Sequence, residues 1–582
     1  MSAYPVLLTR SLLAGFAAGV LISLGACSAA NPEAPATEVG GPQLSDEAHN
    51  RERAELHEQL AAAPAELKRK SQVAGRAVMP SVAYAPMPMS VQADALPPGY
   101  RDENREQYQK LVSNPVHAVV EAPVSTFSID VDTGSYANVR RFLNAGQLPP
   151  QDAVRLEELV NYFPYAYPLP RGDAPFGVHT ELAVTPWNPE SRLLRIAIKA
   201  SDLRVEELPP ANLVFLVDVS GSMDRRDGLP MVQSTLKLLV EQLRAQDTVS
   251  LVVYAGSSSV VLQPTSGSEK ATIRAAIDQL AAGGSTAGES GIQLAYQQAQ
   301  QGFIDGGINR ILLATDGDFN VGISDFETLK QLAADKRKTG VSLTTLGFGT
   351  DNYNEQLMEQ LADAGDGNYA YIDNLREARK VLVDQLSSTL ATVARDVKIQ
   401  VEFNPAEVSE YRLLGYENRA LKREDFSNDK VDAGEIGAGH TVTALYEVVP
   451  VGGKGWLEPL RYQQAAKAGS PAGELAWLRI RYKAPGQDIS KLLEQPIQAS
   501  HTRAISQVSE DLRFAAAVAA FAQQLKGDTY TGRFSLADSA ELARAAKGDD
   551  RFGLRGEFVQ LVQLAQSLQT ATNRSTSARV EQ

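Results

Sequence analysis

Residues 214–223 read V-F-L-V-D-V-S-G-S-M, an apolar run that stops at an acid followed by two hydroxyls. Asp218, Ser220 and Ser222 fall at alternate positions, so one short loop can aim three oxygens at a single point. A lone carboxylate at the end of a buried run is costly unless something compensates it. Hydroxyls with few carboxylates, and no nitrogen or sulfur donor, suit a hard divalent cation, Mg2+ before Zn2+. Two later stretches add oxygen donors. Residues 283–288 (G-G-S-T-A-G) carry Ser285 and Thr286 just ahead of a helical pattern, and 311–318 (I-L-L-A-T-D-G-D) is a second apolar run, ending in Asp316. Apolar runs without alternation fit strands covered on both faces, as in the middle of a parallel sheet.

The set D-x-S-x-S, G-S-T-x-G and strand-T-D-G, in this order, resembles the von Willebrand factor type A (VWA) domain with its metal-ion-dependent adhesion site (MIDAS). The resemblance implies that Asp218, Ser220, Ser222, Thr286 and Asp316 form the metal shell. It implies Mg2+ as the ion, with Mn2+ or Ca2+ as alternatives, and an open coordination position for an acidic side chain of a protein partner. A second cation pattern overlaps the last stretch, since Asp316, Asp318, Asn320 and Glu327 are spaced as in a calcium-binding helix–loop–helix. Val321 stands where that loop needs Gly for its sharp turn, and a buried strand precedes it, which disfavours this reading.

Apolar runs at 212–217, 248–254, 310–315, 342–348 and 368–372 alternate with helical periodicity at 231–243, 271–280, 288–303, 325–338, 354–364 and 375–394. The alternation predicts an α/β fold over 206–394, a doubly wound Rossmann-like VWA domain with a parallel central sheet and 258–265 as an antiparallel edge. Ligands of such sheets bind beyond the carboxyl ends of the strands, where the strand order reverses. Asp218 and Asp316 both stand at carboxyl ends. Residues 99–205 (strand into helix at 124–143, a helix at 152–163, strands at 176–184 and 193–200) read as an α+β N-terminal companion domain. Residues 395–582 read as a C-terminal domain, β-rich (397–403, 411–416, 441–449, 475–482) and then helical (506–524, 535–546, 556–567). Both resemble the flanking domains of bacterial VWA lipoproteins. Asp130 and Asp132 read as turn formers, and Arg171-Gly172-Asp173 as a chance tripeptide.

With a net charge of −14 over 582 residues, nucleic acid and anionic membrane surfaces are disfavoured as partners. The single cysteine, Cys27, excludes an internal disulfide. It closes an apolar stretch at 11–26 with L-G-A-C, which resembles the lipobox of bacterial lipoproteins. This implies a signal peptide at 1–26, a lipid on Cys27 that ties the chain to a membrane, and a Pro-, Ala- and Met-rich disordered tether at 27–98. Ser28 in place of Asp favours the outer over the inner membrane. In that location ATP is not an available partner. No catalytic residue is expected. His49, His57, His117, His179, His440 and His501 all lie outside 206–394, neither G-x-S-x-G nor G-x-x-x-x-G-K-[ST] occurs, and His57-Glu58 lacks the second His of a zinc motif because Ala61 stands there. The resulting reading is a divalent-cation-dependent, protein-binding adhesion or scaffold lipoprotein of the cell envelope. Its rivals are a structural envelope protein with a stabilising metal and a metal-dependent hydrolase. If Cys27 carries the lipid, Cys27→Ser should release the protein from membranes or leave it uncleaved; palmitate labelling that survives the substitution would contradict the anchor.

Overall fold

The strand Ala211–Asp218 is buried at every position, and its alternate residues feed two different cores. Leu213, Phe215 and Val217 face one side of the sheet, packed with the helices Leu229–Gln242 and Lys270–Asp278. Val214 and Leu216 face the other, packed with Gly288–Gln301, Phe326–Arg337 and Glu355–Ala364. A strand with two apolar faces needs covering on both sides, which is why its sequence is an unbroken apolar run. The computed structural model describes residues 106–580 apart from 130–131, 173, 285–287, 318–325, 351–352, 459 and 462–472. The expected signal peptide and tether, Cys27, Asp130, Asp173, Ser285, Thr286, Asp318 and Asn320 lie outside the described residues.

Across this sheet the order is Tyr369–Tyr371, Ser342–Gly347, Ile308–Thr315, Ala211–Asp218, Thr248–Tyr254 and Ser258–Ser266. All neighbours run parallel except the last pair. The chain winds outwards in both directions from the central strand, so the order reverses between Ala211–Asp218 and Ile308–Thr315. This is the expected doubly wound VWA sheet, with the expected antiparallel edge.

The two flanking segments build their sheets together. One six-stranded sheet runs His117–Ala118, Val408–Leu414, Thr441–Pro450, Asn188–Ala200, Phe176–Thr185, Thr502–Arg503. The second contains Thr392–Phe403, Glu474–Lys483 and Lys491–Gln498, and Val124–Ser128 from the N-terminal segment pairs with Thr392–Phe403. Phe127, Ile196, Val401, Tyr411, Tyr446 and Leu478 meet in the core between the two sheets. On the other face of the six-stranded sheet lie Gly134–Asn144, Leu156–Asn161 and the C-terminal helices Glu510–Lys526, Leu536–Ala545 and Leu554–Val580. Sequence reading treats 99–205 and 395–582 as separate units because hydrophobic patterning reports elements and not their pairing; here neither segment supplies a complete sheet.

Two local differences have clear causes. The helix expected over 375–394 is interrupted by a π-helical turn at Lys380–Asp384 and ends at Leu390, and a strand begins at Thr392. Thr392 and Val393 are β-branched and favour extended backbone, and the Ala391 carbonyl accepts the Ala438 N–H at 2.8 Å. The boundary expected at 394/395 therefore falls inside a strand. Asp132, expected to form a turn, is buried; it accepts the Tyr369 N–H at 2.9 Å and lies 3.3 Å from Arg419. It holds the edge strand Tyr369–Tyr371 against the flanking body.

Candidate metal centre

The register of the central strands decides what Asp218 meets. Val217 is level with Ala314 and Asp218 with Tyr254, so Thr315 follows beside Asp218, and Asp316 lies one residue beyond. Asp218 and Asp316 are both fully buried. The Thr315 hydroxyl donates to Asp218 Oδ2 at 2.8 Å and accepts the Gly317 N–H at 3.1 Å. The Ser220 N–H donates to Asp218 Oδ1 at 2.9 Å, and the Ser220 and Ser222 hydroxyls are 2.9 Å apart. The Tyr254 hydroxyl lies against Thr315 and Asp218; burial, with the charge of Asp218, pushes its pKa well above the ordinary phenol value.

Neighbouring loops are tied to this centre by backbone. The Gly221 N–H donates to the Gly284 carbonyl at 3.0 Å, and the Gly283 N–H to the Val219 carbonyl at 2.7 Å. These bonds hold the residues just before 285–287 against the Asp218 loop. The Phe348 N–H donates to the Thr315 carbonyl at 2.9 Å. Gly317 has φ +82°, and a Cβ there would sit 2.8 Å from the Asn354 nitrogen, so the T-D-G turn requires glycine both for its conformation and for its space.

Burial, followed by the nearby charge of Asp316, pushes the Asp218 carboxyl up to about 6, against the downward pull of the Ser220 and Thr315 hydrogen bonds. Two buried carboxylates at the ends of adjacent strands, with a hydroxyl pair beside them, form an oxygen-only donor set that a hard divalent cation would neutralise. The residues present fit such an ion. The structure brings together Asp218, Ser220, Ser222 and Asp316; Thr286 lies outside the described residues.

Residues 212–385 match the family described as von Willebrand factor type A domain, 102–195 the family described as von Willebrand factor, and 388–568 that described as Uncharacterized protein YfbK, C-terminal. Over 468 residues the chain is 52% identical to Uncharacterized protein YfbK of Escherichia coli, spanning 79% of this chain and 81% of that protein. It belongs to this bacterial VWA protein family. The VWA protein is also 34% identical over 188 residues to Uncharacterized protein sll0103 of Synechocystis sp., covering 32% of this chain and 43% of that one. Among solved structures, von Willebrand factor type A from Catenulispora acidiphila aligns at 16% identity and a TM-score of 0.39, over 67% of this chain and 91% of that one. VWA domains commonly bind a divalent metal and mediate protein–protein interaction.

Sequence reasoning assigns no role to three residues of this centre. Thr315 orients Asp218 and is visible in the sequence only as part of T-D-G. Tyr254 reads as the last residue of an apolar strand, and its register with Asp218 is set by sheet pairing. Arg225 donates to the Thr350 carbonyl at 2.5 Å and to Asp227 at 2.8 Å, clamping the Asp218 loop to the loop after Ser342–Gly347; no pattern marks it. The Glu327 of the calcium-loop pattern is exposed and pairs with Lys330 at 3.0 Å.

The raised pKa sets a pH dependence for the metal-free protein. The folded state holds the Asp218 proton more tightly than the unfolded chain, whose value is 3.8. Its stabilising contribution is therefore complete below that value and is lost as pH rises through about 6. Asp218→Asn cannot ionise, so it should raise the melting temperature of metal-free protein at about pH 7.5 and remove the response to Mg2+. In the wild type that response should reach about 2.7 kcal/mol at roughly a hundred times Kd. Thermal unfolding with Mg2+ and with EDTA, at about pH 4.5 and about pH 7.5, checks both; an Asn variant less stable than wild type in EDTA at the higher pH would contradict the assignment.

Proposed function

We propose that this VWA protein is a lipid-anchored binding module of the bacterial cell envelope. It captures an acidic side chain of a protein partner through a divalent cation, Mg2+ above Mn2+ or Ca2+, held by Asp218, Ser220, Ser222, Thr286 and Asp316. The observation that carries this reading is the buried Asp218 beside Asp316 and the Ser220–Ser222 hydroxyl pair, at the carboxyl ends of the strands where the sheet order reverses. The two carboxylates balance the formal charge of a divalent cation bound there, and the neutral hydroxyl oxygens leave it under-coordinated, so an open position on the ion accepts an anionic side chain in a partly desolvated place. Asp218 and Asp316 supply charge, Ser220 and Ser222 supply neutral oxygens, and Thr315 fixes the Asp218 carboxylate in orientation. The reading is non-enzymatic. Its placement rests on the lipobox-like residues ending at Cys27, with the outer membrane favoured by Ser28.

The same buried carboxylates would also suit an ion that only staples the fold, so the experiment must separate the two. Thr286 is the position for this, because in the sequence it falls between Gly283-Gly284 and the helix that starts at Gly288. In the family its counterpart reaches the ion when an acidic ligand is bound. Thr286→Ala should weaken Mg2+-dependent partner capture from envelope extract by about 1–3 kcal/mol and leave the melting temperature without partner nearly unchanged. Capture that is unchanged while the melting temperature falls would make the ion a structural staple.

A further inference from the structure

Away from the metal centre, a cavity of about 450 Å³ opens where the VWA domain, the β-sandwich and the helical layer meet. Its floor comes from the VWA edge at Tyr369 and the interrupted helix at Lys380–Asp384, one wall from Ala438–Thr441, and another from Phe163, Tyr165 and Leu554. The volume is in the range of small-molecule sites. Its lining is unusual for a chain of net charge −14: four cations, Lys199, Arg376, Arg379 and Lys380, against two acids, Asp202 and Asp384.

Two of these cations, Lys199 and Lys380, act on His440, whereas Arg376 and Arg379 are exposed and paired with Glu557 and Asp384. His440 Nδ1 is buried and makes no hydrogen bond among the described residues. Burial, followed by the charges of Lys380 and Lys199, pushes the His440 imidazole down to about 4, so both ammonium groups lie close enough to act on it. Lys199 donates to the Gly439 carbonyl at 2.5 Å and makes no ion pair among the described residues. Lys380, nearly buried, has Glu377 at 3.3 Å, but that same carboxylate also serves Arg140 at 2.8 Å and the Tyr162 hydroxyl at 2.7 Å. Burial lowers the pKa of both lysines. An oxyanion between them would relieve this desolvation and give the His440 ring a partner, while Phe163, Tyr165 and Leu554 would cover an apolar body.

We propose that this cavity binds a small monoanionic carboxylate with an apolar or aromatic body, its carboxylate set between Lys199, Lys380 and His440. Arg376 is paired with Glu557, Arg379 with Asp384 and Lys380 with the shared Glu377, which leaves Lys199 as the lining cation without an ion pair among the described residues, and a single negative charge matches that. Such a ligand would touch all three layers and so fasten the VWA edge to the flanking body.

Calorimetric titration of the full-length protein with 3-phenylpropionate tests this. Saturable binding is expected with a Kd of about 1 mM or tighter. Lys199→Gln, at a partly exposed position, and His440→Phe, which keeps an aromatic ring without its nitrogens, should each weaken it about tenfold without lowering the melting temperature. 3-Phenylpropanol should fail to compete. Absence of saturation, binding unaltered in Lys199→Gln, or equal binding of the alcohol would overturn the proposal. Tighter binding of phenyl phosphate than of the carboxylate would overturn the charge assignment.

Discussion

Asp218 and Asp316 set the terms for the rest of this molecule. Two carboxylates held out of water at the ends of adjacent strands repel one another and lose hydration, and neither loss is recovered by packing. The structure answers with hydrogen bonds to the Asp218 oxygens from Ser220 and Thr315 and with hydroxyls placed where a cation's shell would be. A doubly wound sheet is suited to this, because the crevice at the reversal of strand order lets two carboxyl ends approach without an intervening helix.

The flanking body fixes the edge of the VWA domain beyond those strands. Helix Gly134–Asn144 and the turn before Leu156–Asn161 send Arg140 and Arg155 across to the VWA domain. Arg140 meets Asp373 and Glu377, and Arg155 meets Glu355 and Glu359, all of them buried except the half-buried Asp373. Arg419, from the C-terminal segment, bonds Glu359 at 3.1 Å and Asp363 at 2.6 Å. Buried pairs of this kind contribute little net stability compared with apolar packing, but removing one partner leaves a stranded charge at a cost of about 3–5 kcal/mol. They therefore favour one docking of the VWA edge over shifted alternatives. Strand exchange between the N- and C-terminal segments reinforces this, since neither can leave without opening a shared sheet.

Much of this was legible in the sequence. The Asp218 run, the T-D-G ending and the alternation of apolar runs with helical periods report local burial, and local burial is what sequence patterns encode. The metal loop could be read because its donors lie within a few residues of one another. Thr315, Tyr254 and Arg225 could not be assigned, because their roles arise from strand register and loop contact across long separations. The same limit hid the pairing of Val124–Ser128 with Thr392–Phe403 and the buried role of Asp132, which only Tyr369 and Arg419 reveal. The edge strand Lys491–Gln498 was missed because it alternates weakly and contains Pro496, tolerable only at a sheet edge.

The central claim is that the oxygens of Asp218, Ser220, Ser222 and Asp316 converge on one divalent ion. Anomalous scattering from a crystal grown with Mn2+ tests it most directly. The account predicts a single strong peak about 2.0–2.3 Å from the Ser220 and Ser222 hydroxyls, lost in Asp218→Asn. A crystal without that peak would contradict it.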